Sequence, residues 1–542
     1  MGAGRVKWWG WGREDKLESL ESRPALVDFL RQRLHIATLT RREVVHFEDI
    51  AIAPPMLSGD ELVLIADIVG EGNLTTDPRD RVAHAAGKSY VDLVRIRSGS
   101  PGQLPDAVAY PKDEASVRRL LEFARRRGFA VIPFGGGTSV VGGVTPPSDS
   151  RATITLDLRR MDRVLEIDEH SGLVTAEAGI LGPDLEHALN AKGLTLGHFP
   201  QSWEFSSLGG WIATRAAGGL SNRYGRIDDL VVGVRLLAPT LTLDLRPLPG
   251  ESHGPDLREL VLGSEGTLGV ITQATLRAHP APVARRFASR LFRSFVDGVA
   301  ALRTLAKDRA LPDMAYLSDE EETRFLAASA GLSPEGAGIV ARRLANASLL
   351  TMAFEGSKAH TAHGLRTMEK ATANTSTNVG ARPAKRWYTE RFEFPYLRDS
   401  FLDHGILVDT VETAASWSSL LHLYEAGRKA LHDALARGGA PGVVLCHVSH
   451  AYLDGASLYY TFLASQREGH EIEQWETMKA TVTEAFLSAG GALSHHHGIG
   501  TDHAPYLRRI IGEDGLVVLR ALKRELDPEG IMNPGKLMDG TT

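Results

Sequence analysis

One cysteine, Cys446, stands among the 542 residues of the chain. A single thiol excludes internal disulfide bonds and metal clusters held by several cysteines, and it suits the reducing cytoplasm. Long apolar runs are missing too: none reaches the roughly 20 residues that span a bilayer, and the N-terminus has no apolar stretch typical of a secretion signal. We therefore expect a cytoplasmic protein.

Basic side chains are not in excess. The 61 Lys and Arg residues are outnumbered by 67 Asp and Glu residues, which gives a net charge of −6. Because proteins that bind nucleic acids are usually basic, we expect no nucleic-acid partner. A hydrophobic content of 43% is typical of a globular enzyme, and the length predicts more than one domain.

The stretch 133–144 is rich in glycine but lacks the usual phosphate-binding spacings. It contains neither Gly-Lys-Ser/Thr, as in a P-loop, nor Gly-x-Gly-x-x-Gly opening a helix. It has five glycines together with the hydroxyls of Thr138 and Ser139. Glycine lets the backbone approach a ligand closely, and successive N–H groups form an anion-binding nest. We expect this stretch to bind a diphosphate.

Two further segments, 206–219 and 263–272, combine small residues with hydroxyls. Close backbone contact with a flat, polar cofactor requires such residues. Three segments of this kind in one part of the chain favour a cofactor site over ordinary loops.

Local patterns predict regular elements around these segments. Asp113 is the predicted N-cap of a helix that ends at Gly128. The acidic run 319–322 is interpreted as a solvent-exposed helix start, and the tryptophans of 8–11 as a hydrophobic plug against another domain. The other predicted elements are strands over 130–132, 154–158 and 348–354, a hairpin over 164–168 and 173–179, and helices over 183–191, 473–488 and 516–526.

Several motifs resemble known flavoproteins. The stretch 133–144, the segment 265–271 and the tail Asn533-Pro534-Gly535-Lys536 are similar to the vanillyl-alcohol oxidase/p-cresol methylhydroxylase superfamily. Within it, the chain resembles the alkyldihydroxyacetonephosphate synthases over nearly its whole length. The motifs that carry this closer resemblance are the Trp-Gly repeat 7–12, Gly197-His198-Phe199-Pro200, the segment 209–217, Pro395-Tyr396-Leu397-Arg398-Asp399 and Ser494-His495-His496-His497-Gly498.

The resemblance implies an α+β fold with FAD as cofactor. A two-subdomain FAD-binding domain of the PCMH type would span 105–280 and an α/β cap domain with an antiparallel sheet 281–490. A helical and irregular segment, 1–104, would precede them, and a helical segment, 491–542, would return to the FAD site. The stretch 133–144 has no His or Cys, so we expect non-covalent FAD.

The resemblance also implies which residues contact FAD. The set comprises Pro133, Phe134, Gly135, Gly136, Gly137, Thr138, Ser139, Gln201, Ser202, Ser206, Ser207, Thr214, Arg215, Ala216, Ala217, Glu265, Gly266, Thr267, Leu268, Gly269, Val270 and Ile271.

The implied reaction exchanges the acyl chain of acyl-dihydroxyacetone phosphate for a fatty alcohol, with flavin N5 holding the dihydroxyacetone unit between the two halves. Arg398 would bind the substrate, Tyr459 would act as acid and base, and His495, His496 and His497 would line the reacting centre. These residue types suit the chemistry, because an imidazole is a base near neutrality and a guanidinium fork matches a phosphate. The expected partners are a phosphorylated lipid or a small hydroxyacid as substrate, a second copy of the chain in a homodimer, and the inner face of a membrane, touched peripherally.

Structural interpretations stand beside these roles. Arg398 and Asp399 could form a structural ion pair, and one of Tyr459 and Tyr460 is expected to be a core aromatic. A histidine triplet could bind a metal, but consecutive residues on a strand point to alternate faces, so no metal is expected.

Two positions depart from the family pattern. Tyr316 stands where the family commonly has an arginine important for activity, and Gln201 where a carboxylate is often found. They leave open a second function, an FAD-dependent dehydrogenase or oxidase of small 2-hydroxyacids such as D-lactate or glycolate. A third alternative is a flavoprotein scaffold without activity, against which the histidine triplet and Tyr459 argue.

Overall fold

The computed structural model describes residues 6–149, 151–333, 343–344 and 346–538. Helices and strands are numbered separately in chain order. The helices are α1 (Pro24–Leu34), α2 (Gly59–Val69), α3 (Pro78–Ala83), α4 (Tyr90–Arg97), α5 (Glu114–Arg127), α6 (Gly182–Asn190), α7 (Leu208–Thr214), α8 (Ser221–Tyr224), α9 (Ile227–Leu230), α10 (Arg258–Val261), α11 (Phe295–Lys307), α12 (Glu320–Ser329), α13 (Lys358–Thr372), α14 (Arg382–Glu390), α15 (Phe394–Asp403), α16 (Leu420–Arg437), α17 (Glu471–Ser488) and α18 (Ala504–Leu526).

The strands are β1 (Leu74–Thr75), β2 (Ala107–Ala109), β3 (Ala130–Phe134), β4 (Thr153–Asp157), β5 (Val164–Asp168), β6 (Leu173–Glu177), β7 (Leu194–Thr195), β8 (Val231–Leu237), β9 (Thr242–Leu245), β10 (Val270–Arg277), β11 (His279–Pro280), β12 (Ala284–Phe292), β13 (Met314–Ser318), β14 (Ser348–Gly356), β15 (Ser376–Asn378), β16 (Ile406–Ser416), β17 (Gly442–Ala451) and β18 (Gly455–Ser465).

Two sheets share one hydrophobic core in the first half of the chain. The order of the first is β1-β2-β4-β3, with β2, β4 and β3 parallel, and the order of the second, which is antiparallel, is β5-β6-β10-β8-β9. Leu120, Ile154, Val174 and Val270 are fully buried in the core that joins them. The end of β3 therefore delivers the glycine-rich stretch to the boundary between the two sheets.

A seven-stranded antiparallel sheet, β15-β12-β14-β13-β17-β18-β16, forms the second half. Its register sets three polar side chains in a row across neighbouring strands: Glu412 pairs with Tyr459, and Tyr459 pairs with His447. With the two sheets above and the helices that flank them, this antiparallel sheet confirms the α+β class.

Local signals account for the elements that were predicted correctly. The Asp113 carboxylate accepts the backbone N–H of Ser116 at 2.7 Å, as an N-cap does, and Gly128 ends α5 with a φ of 74°. The prediction that the acidic run 319–322 is solvent-exposed is wrong. The run does open a helix, but Asp319 and Glu322 are 0% and 4% exposed, so that part of the run is buried rather than solvated.

The two family-like motifs at 7–12 and 395–399 contact each other. Asp399 accepts hydrogen bonds from Lys7 Nζ at 3.0 Å and from the Trp11 backbone N–H at 2.9 Å. A Cβ on Gly10 would collide with the same carboxylate, so the Trp-Gly repeat needs its glycine for this packing. No helix in the described residues is long and apolar enough to cross a membrane.

Candidate functional site

A deep cavity lies between the cofactor sheets and the antiparallel sheet. The stretch 133–144 and the segment 199–219 line one side, and residues of β13, β16, β17 and β18 line the other. Eighteen of the twenty-two residues assigned to FAD line it: Pro133, Phe134, Gly135, Gly136, Gly137, Thr138, Ser139, Gln201, Ser202, Ser206, Ser207, Thr214, Ala216, Ala217, Glu265, Gly266, Gly269 and Ile271.

The other four assigned residues lie outside the cavity wall. Arg215 is turned away: its guanidinium binds Asp228 at 3.0 Å and also Glu259. Leu268 and Val270 are packed into the core, and Thr267 donates its hydroxyl to the Ser264 carbonyl. These four residues support the cofactor wall from behind.

The glycine-rich stretch offers free backbone donors to the cavity. None of the N–H groups from Gly135 to Ser139 donates to an acceptor in the described part of the chain. The Ser139 hydroxyl is used within the stretch, where it accepts the Gly143 N–H at 2.9 Å. A row of unpaired N–H groups is what a diphosphate requires, so these residues fit FAD.

Glycine is also needed there for packing. A Cβ on Gly136 would overlap the carbonyl oxygen of Phe205, and a Cβ on Gly135 would overlap the Ser207 hydroxyl. The stretch 133–144 therefore lies in close contact with residues 205–207, and this contact gives the cradle its shape.

Glu265 and Asn533 tie two C-terminal segments, one at residues 499–500 and one at residue 533, to the cradle. The Glu265 carboxylate accepts the Gly500 N–H at 2.8 Å and also the Ile499 N–H. Asn533 Nδ2 donates to the carbonyls of Glu265 at 2.7 Å and Gly143 at 2.9 Å. Burial raises the pKa of Glu265, against the lowering effect of the two backbone donors.

The histidine triplet lies in a turn after α17, not on a strand. Glu412 holds this turn: its carboxylate accepts the backbone N–H groups of His495 at 2.7 Å, His496 at 3.0 Å and His497 at 3.0 Å. His496 and His497 line the cavity, whereas His495 lies behind them. One buried carboxylate thus sets the direction of both imidazoles.

The imidazoles are neutral bases. Burial lowers the pKa of His496, and it lowers the pKa of His497 to about 3. Burial alone would raise the pKa of Glu412, but the imidazoles of His496, His497 and His495 hold it well below its usual range. This turn therefore brings one carboxylate, that of Glu412, next to imidazoles that can accept a proton.

Tyr459 and Tyr460 have different surroundings. Tyr459 lines the cavity, with its ring parallel to His447 at 4.9 Å and to His496 at 5.9 Å between centroids. Tyr460 is fully buried in the core, where its hydroxyl donates to the carbonyl of Tyr424 at 3.1 Å. Burial raises the pKa of Tyr459, so its phenol stays protonated.

Arg398 lines the cavity and is not paired with Asp399. The Asp399 carboxylate is occupied by Lys7 and Trp11, while Arg398 Nη1 donates to the Lys88 carbonyl at 2.7 Å. Arg398 Nε is buried without a partner in the described residues. Arg398 Nη2 donates to no acceptor among the described residues and is not sealed off by protein, so this nitrogen is available for an anionic ligand.

Three histidines could in principle share a metal ion, since one ring nitrogen each of His450, His495 and His496 lie within 4.8 Å of one another. Each of these rings already has a hydrogen-bond partner at one nitrogen: the Nδ1 atoms of His495 and His496 are 3.0 Å apart, and His450 Nε2 lies 3.0 Å from the Gly218 carbonyl.

Sequence reasoning missed Glu412, His447 and Glu322, the last two of which also line the cavity. The signal for Glu412 was a charged residue inside the mainly apolar strand 406–416. His447 and Glu322 are 125 residues apart, and no local pattern connects them.

Comparison with known proteins agrees with this geometry. The chain matches the family described as FAD binding domain over residues 105–242 and the family described as FAD linked oxidases, C-terminal domain, over residues 281–537. It is 33% identical to an alkyldihydroxyacetonephosphate synthase of Dictyostelium discoideum, over 98% of this chain and 93% of the relative.

Solved structures agree as well. An alkyldihydroxyacetonephosphate synthase structure is similar with a TM-score of 0.85 and 32% identity, covering 98% of each chain. A p-cresol methylhydroxylase structure shares the fold, with a TM-score of 0.69 at 13% identity over 91% of this chain and 100% of the other. The chain is an FAD-dependent enzyme, and it belongs to the alkyldihydroxyacetonephosphate synthase family.

Proposed function

We propose that the protein exchanges the acyl chain of acyl-dihydroxyacetone phosphate for a fatty alcohol, a step of ether lipid synthesis. The observation that carries the proposal is the convergence of Arg398, Tyr459, His496 and His497 on the cavity that also receives the glycine-rich stretch. An oxidation needs one base and a path to the flavin. A chain exchange must also release a carboxylate and accept an alcohol, so it needs more groups that carry protons.

Each residue has a distinct role in this proposal. Arg398 binds the phosphate through its unpaired donors, His496 or His497 removes a proton next to the substrate carbonyl, and Tyr459 gives a proton to the departing carboxylate. Bound FAD supplies the isoalloxazine ring against which the dihydroxyacetone unit is held. Glu412 keeps both imidazoles in position.

The FAD is proposed to be non-covalent. The support is that the stretch 133–144 offers the diphosphate N–H groups and no His or Cys side chain. Acid precipitation is expected to release the yellow colour into the supernatant, and colour retained in the pellet would contradict the proposal.

The finer organisation is also proposed. The domain boundaries follow residues 104, 280 and 490. The enzyme forms a homodimer, and it contacts a membrane peripherally to reach its phosphorylated lipid. The starts of the two family matches, at residues 105 and 281, support the first two divisions. Chromatography with light scattering tests the dimer, and co-sedimentation with anionic vesicles tests the membrane contact.

The decisive experiment omits oxygen and any electron-accepting dye. The enzyme is mixed with acyl-dihydroxyacetone phosphate and a labelled fatty alcohol, with Tyr459→Phe as the inactive control. Labelled ether formed over many turnovers is expected. Turnover only of D-2-hydroxyacids, and only with a dye present, would instead identify the dehydrogenase.

A further inference from the structure

A second carboxylate–imidazole pair lies in the wall of the same cavity. Glu322, on α12, approaches His447 Nδ1 with both carboxylate oxygens at 3.0 Å. Tyr316, on β13, places its hydroxyl 2.7 Å from Glu322 Oε1 and 2.8 Å from His447 Nδ1. All three residues line the cavity, and none is more than 9% exposed. This cluster stands where the family commonly has the arginine that Tyr316 replaces.

The contacts define which nitrogen of His447 is free. Both partners lie at Nδ1, so Nδ1 carries the hydrogen that is shared with Glu322, and Nε2 keeps its lone pair. Nε2 has no hydrogen-bond partner among the described residues, and it is not sealed off by protein. A carboxylate on one nitrogen and a free lone pair on the other is the arrangement of a general base.

The rings on either side fix the imidazole. Tyr316 stacks on one face at 3.9 Å between centroids, and Tyr459 lies parallel at 4.9 Å. His447 is thus held next to the proposed acid, Tyr459, but has its own carboxylate, separate from Glu412. The cavity therefore contains two independent carboxylate–imidazole units.

The surroundings of the Glu322–His447 pair are apolar. Three and four residues beyond Glu322 on the same helix, Phe325 and Leu326 line the cavity. Four other apolar side chains of the cavity wall pack in one cluster with Phe325 and Leu326: Leu397, Phe401, Val408 and Leu445. An alkyl chain lying against these residues would bring a terminal hydroxyl close to His447, whereas a phosphate would be drawn to Arg398.

We propose that His447 is the base that accepts the hydroxyl proton of the incoming fatty alcohol, with Glu322 and Tyr316 as positioning residues. The inference rests on the proposed function. As the alcohol oxygen bonds to the substrate carbon from which the carboxylate has departed, its O–H bond breaks and the proton moves to Nε2. The proton then passes, directly or through water, to Tyr459, which gave its own proton to the departing carboxylate, so no electron acceptor is consumed.

The test separates the two halves of the reaction. Release of labelled fatty acid from acyl-dihydroxyacetone phosphate is measured without alcohol, and ether formation is measured with it. His447→Gln should lower ether formation by roughly 10²–10⁴-fold, as expected for a lost general base, while fatty-acid release stays within a few-fold of wild type. A fluorinated alcohol, which ionises more readily, should restore part of the lost rate.

Glu322→Gln is the second variant, in case His447→Gln does not fold. It should lower ether formation less strongly and shift its pH profile, with fatty-acid release kept. The matched control is His470→Gln, since His470 and Glu473 form a similar pair, at 2.9 Å, on the surface. Equal loss of both half-reactions with flavin retained, or no loss of either, would overturn the role of His447. A wild-type enzyme that forms no ether at all would instead overturn the proposed function.

Discussion

The Glu412 carboxylate accepts the backbone N–H of His497 at 3.0 Å, and through the same oxygen that of His496. A side chain from the antiparallel sheet therefore determines the path of the turn that carries the imidazoles. Because the acceptor is charged and buried, the contact is strong and costly to lose.

Replacing Glu412 with Gln should disturb this turn. An amide offers one acceptor oxygen and points an N–H₂ group at backbone donors, so we expect turnover to fall at least tenfold and stability to fall by about 1.5–3 kcal/mol. Initial rates and thermal unfolding measure both. Glu484→Gln, at an exposed carboxylate paired with Arg509, is the control and should change neither. Unchanged activity in Glu412→Gln would mean that the turn keeps its conformation without the Glu412 carboxylate.

Tyr459→Phe removes one hydroxyl from the cavity. We expect turnover to fall by roughly 10²–10⁴-fold, as for a positioned acid, with flavin content unchanged. Tyr460→Phe is a matched control, because that hydroxyl only donates to backbone carbonyls in the core. It should keep near-normal turnover while losing some stability. Similar turnover in the two variants would contradict the role of Tyr459.

Arg398→Lys keeps the charge but loses the planar fork. We expect kcat/KM to fall by about 10–100-fold, because an ammonium group cannot replace two directed hydrogen bonds. The flavin-to-protein absorbance ratio should not change. Arg163→Lys, at a guanidinium whose side chain is 69% exposed, is the control. Loss of flavin or of folding in Arg398→Lys would instead indicate a structural role.

Gly136→Val should abolish FAD binding. The added side chain would collide with the Phe205 carbonyl and separate the first two glycine-rich segments, whose backbone forms the cradle. The absorbance of the purified protein reports this directly. Gly59→Ala is the control, since a Cβ there meets nothing within 4 Å. Gly136→Val with normal flavin content would show that the two segments can move apart.

The pH dependence follows from the buried imidazoles. Burial lowers the pKa of His497 to about 3, so the neutral base should persist well below the ordinary histidine value of about 6.5. We expect kcat/KM to show no acid limb near that value. The folded-state pKa is depressed, so its contribution to stability is present above about 6.5 and is lost as pH falls toward 3.

Thermal unfolding of His497→Gln tests whether His497 costs the protein stability as the pH falls. Glutamine does not titrate in this range, so the variant should lose less stability than the wild type between pH 6.5 and 4. The pKa of Glu412 is also depressed, so Glu412 also loses its contribution to stability as the pH falls. That loss begins only when the pH falls below the ordinary range of carboxyl pKa values. If the variant and the wild type lost the same stability on acidification, the pKa of His497 would not be lowered by burial.

The elements that depend on neighbouring residues could be predicted from the sequence better than the contacts between distant segments. The helix after Asp113 and the three glycine-rich segments depend on neighbours within a few residues, so the chain itself shows them. The row of Glu412, Tyr459 and His447 depends on strand register between segments up to 47 residues apart, which no periodicity encodes. The prediction for the run 319–322 is wrong because an acidic residue that caps a buried helix start looks the same in a sequence as an acidic residue in solvent.

Asn533 also bears on when the protein can acquire its cofactor. Its amide joins Gly143 to Glu265, and its backbone N–H donates to the Val131 carbonyl at 2.9 Å. These partners leave the ribosome several hundred residues before it does. We therefore expect the cradle to close only after this late residue emerges, and flavin to bind at the last stage of biogenesis. A chain terminated upstream of Asn533 should accumulate as colourless protein even if every cavity-lining residue has been made.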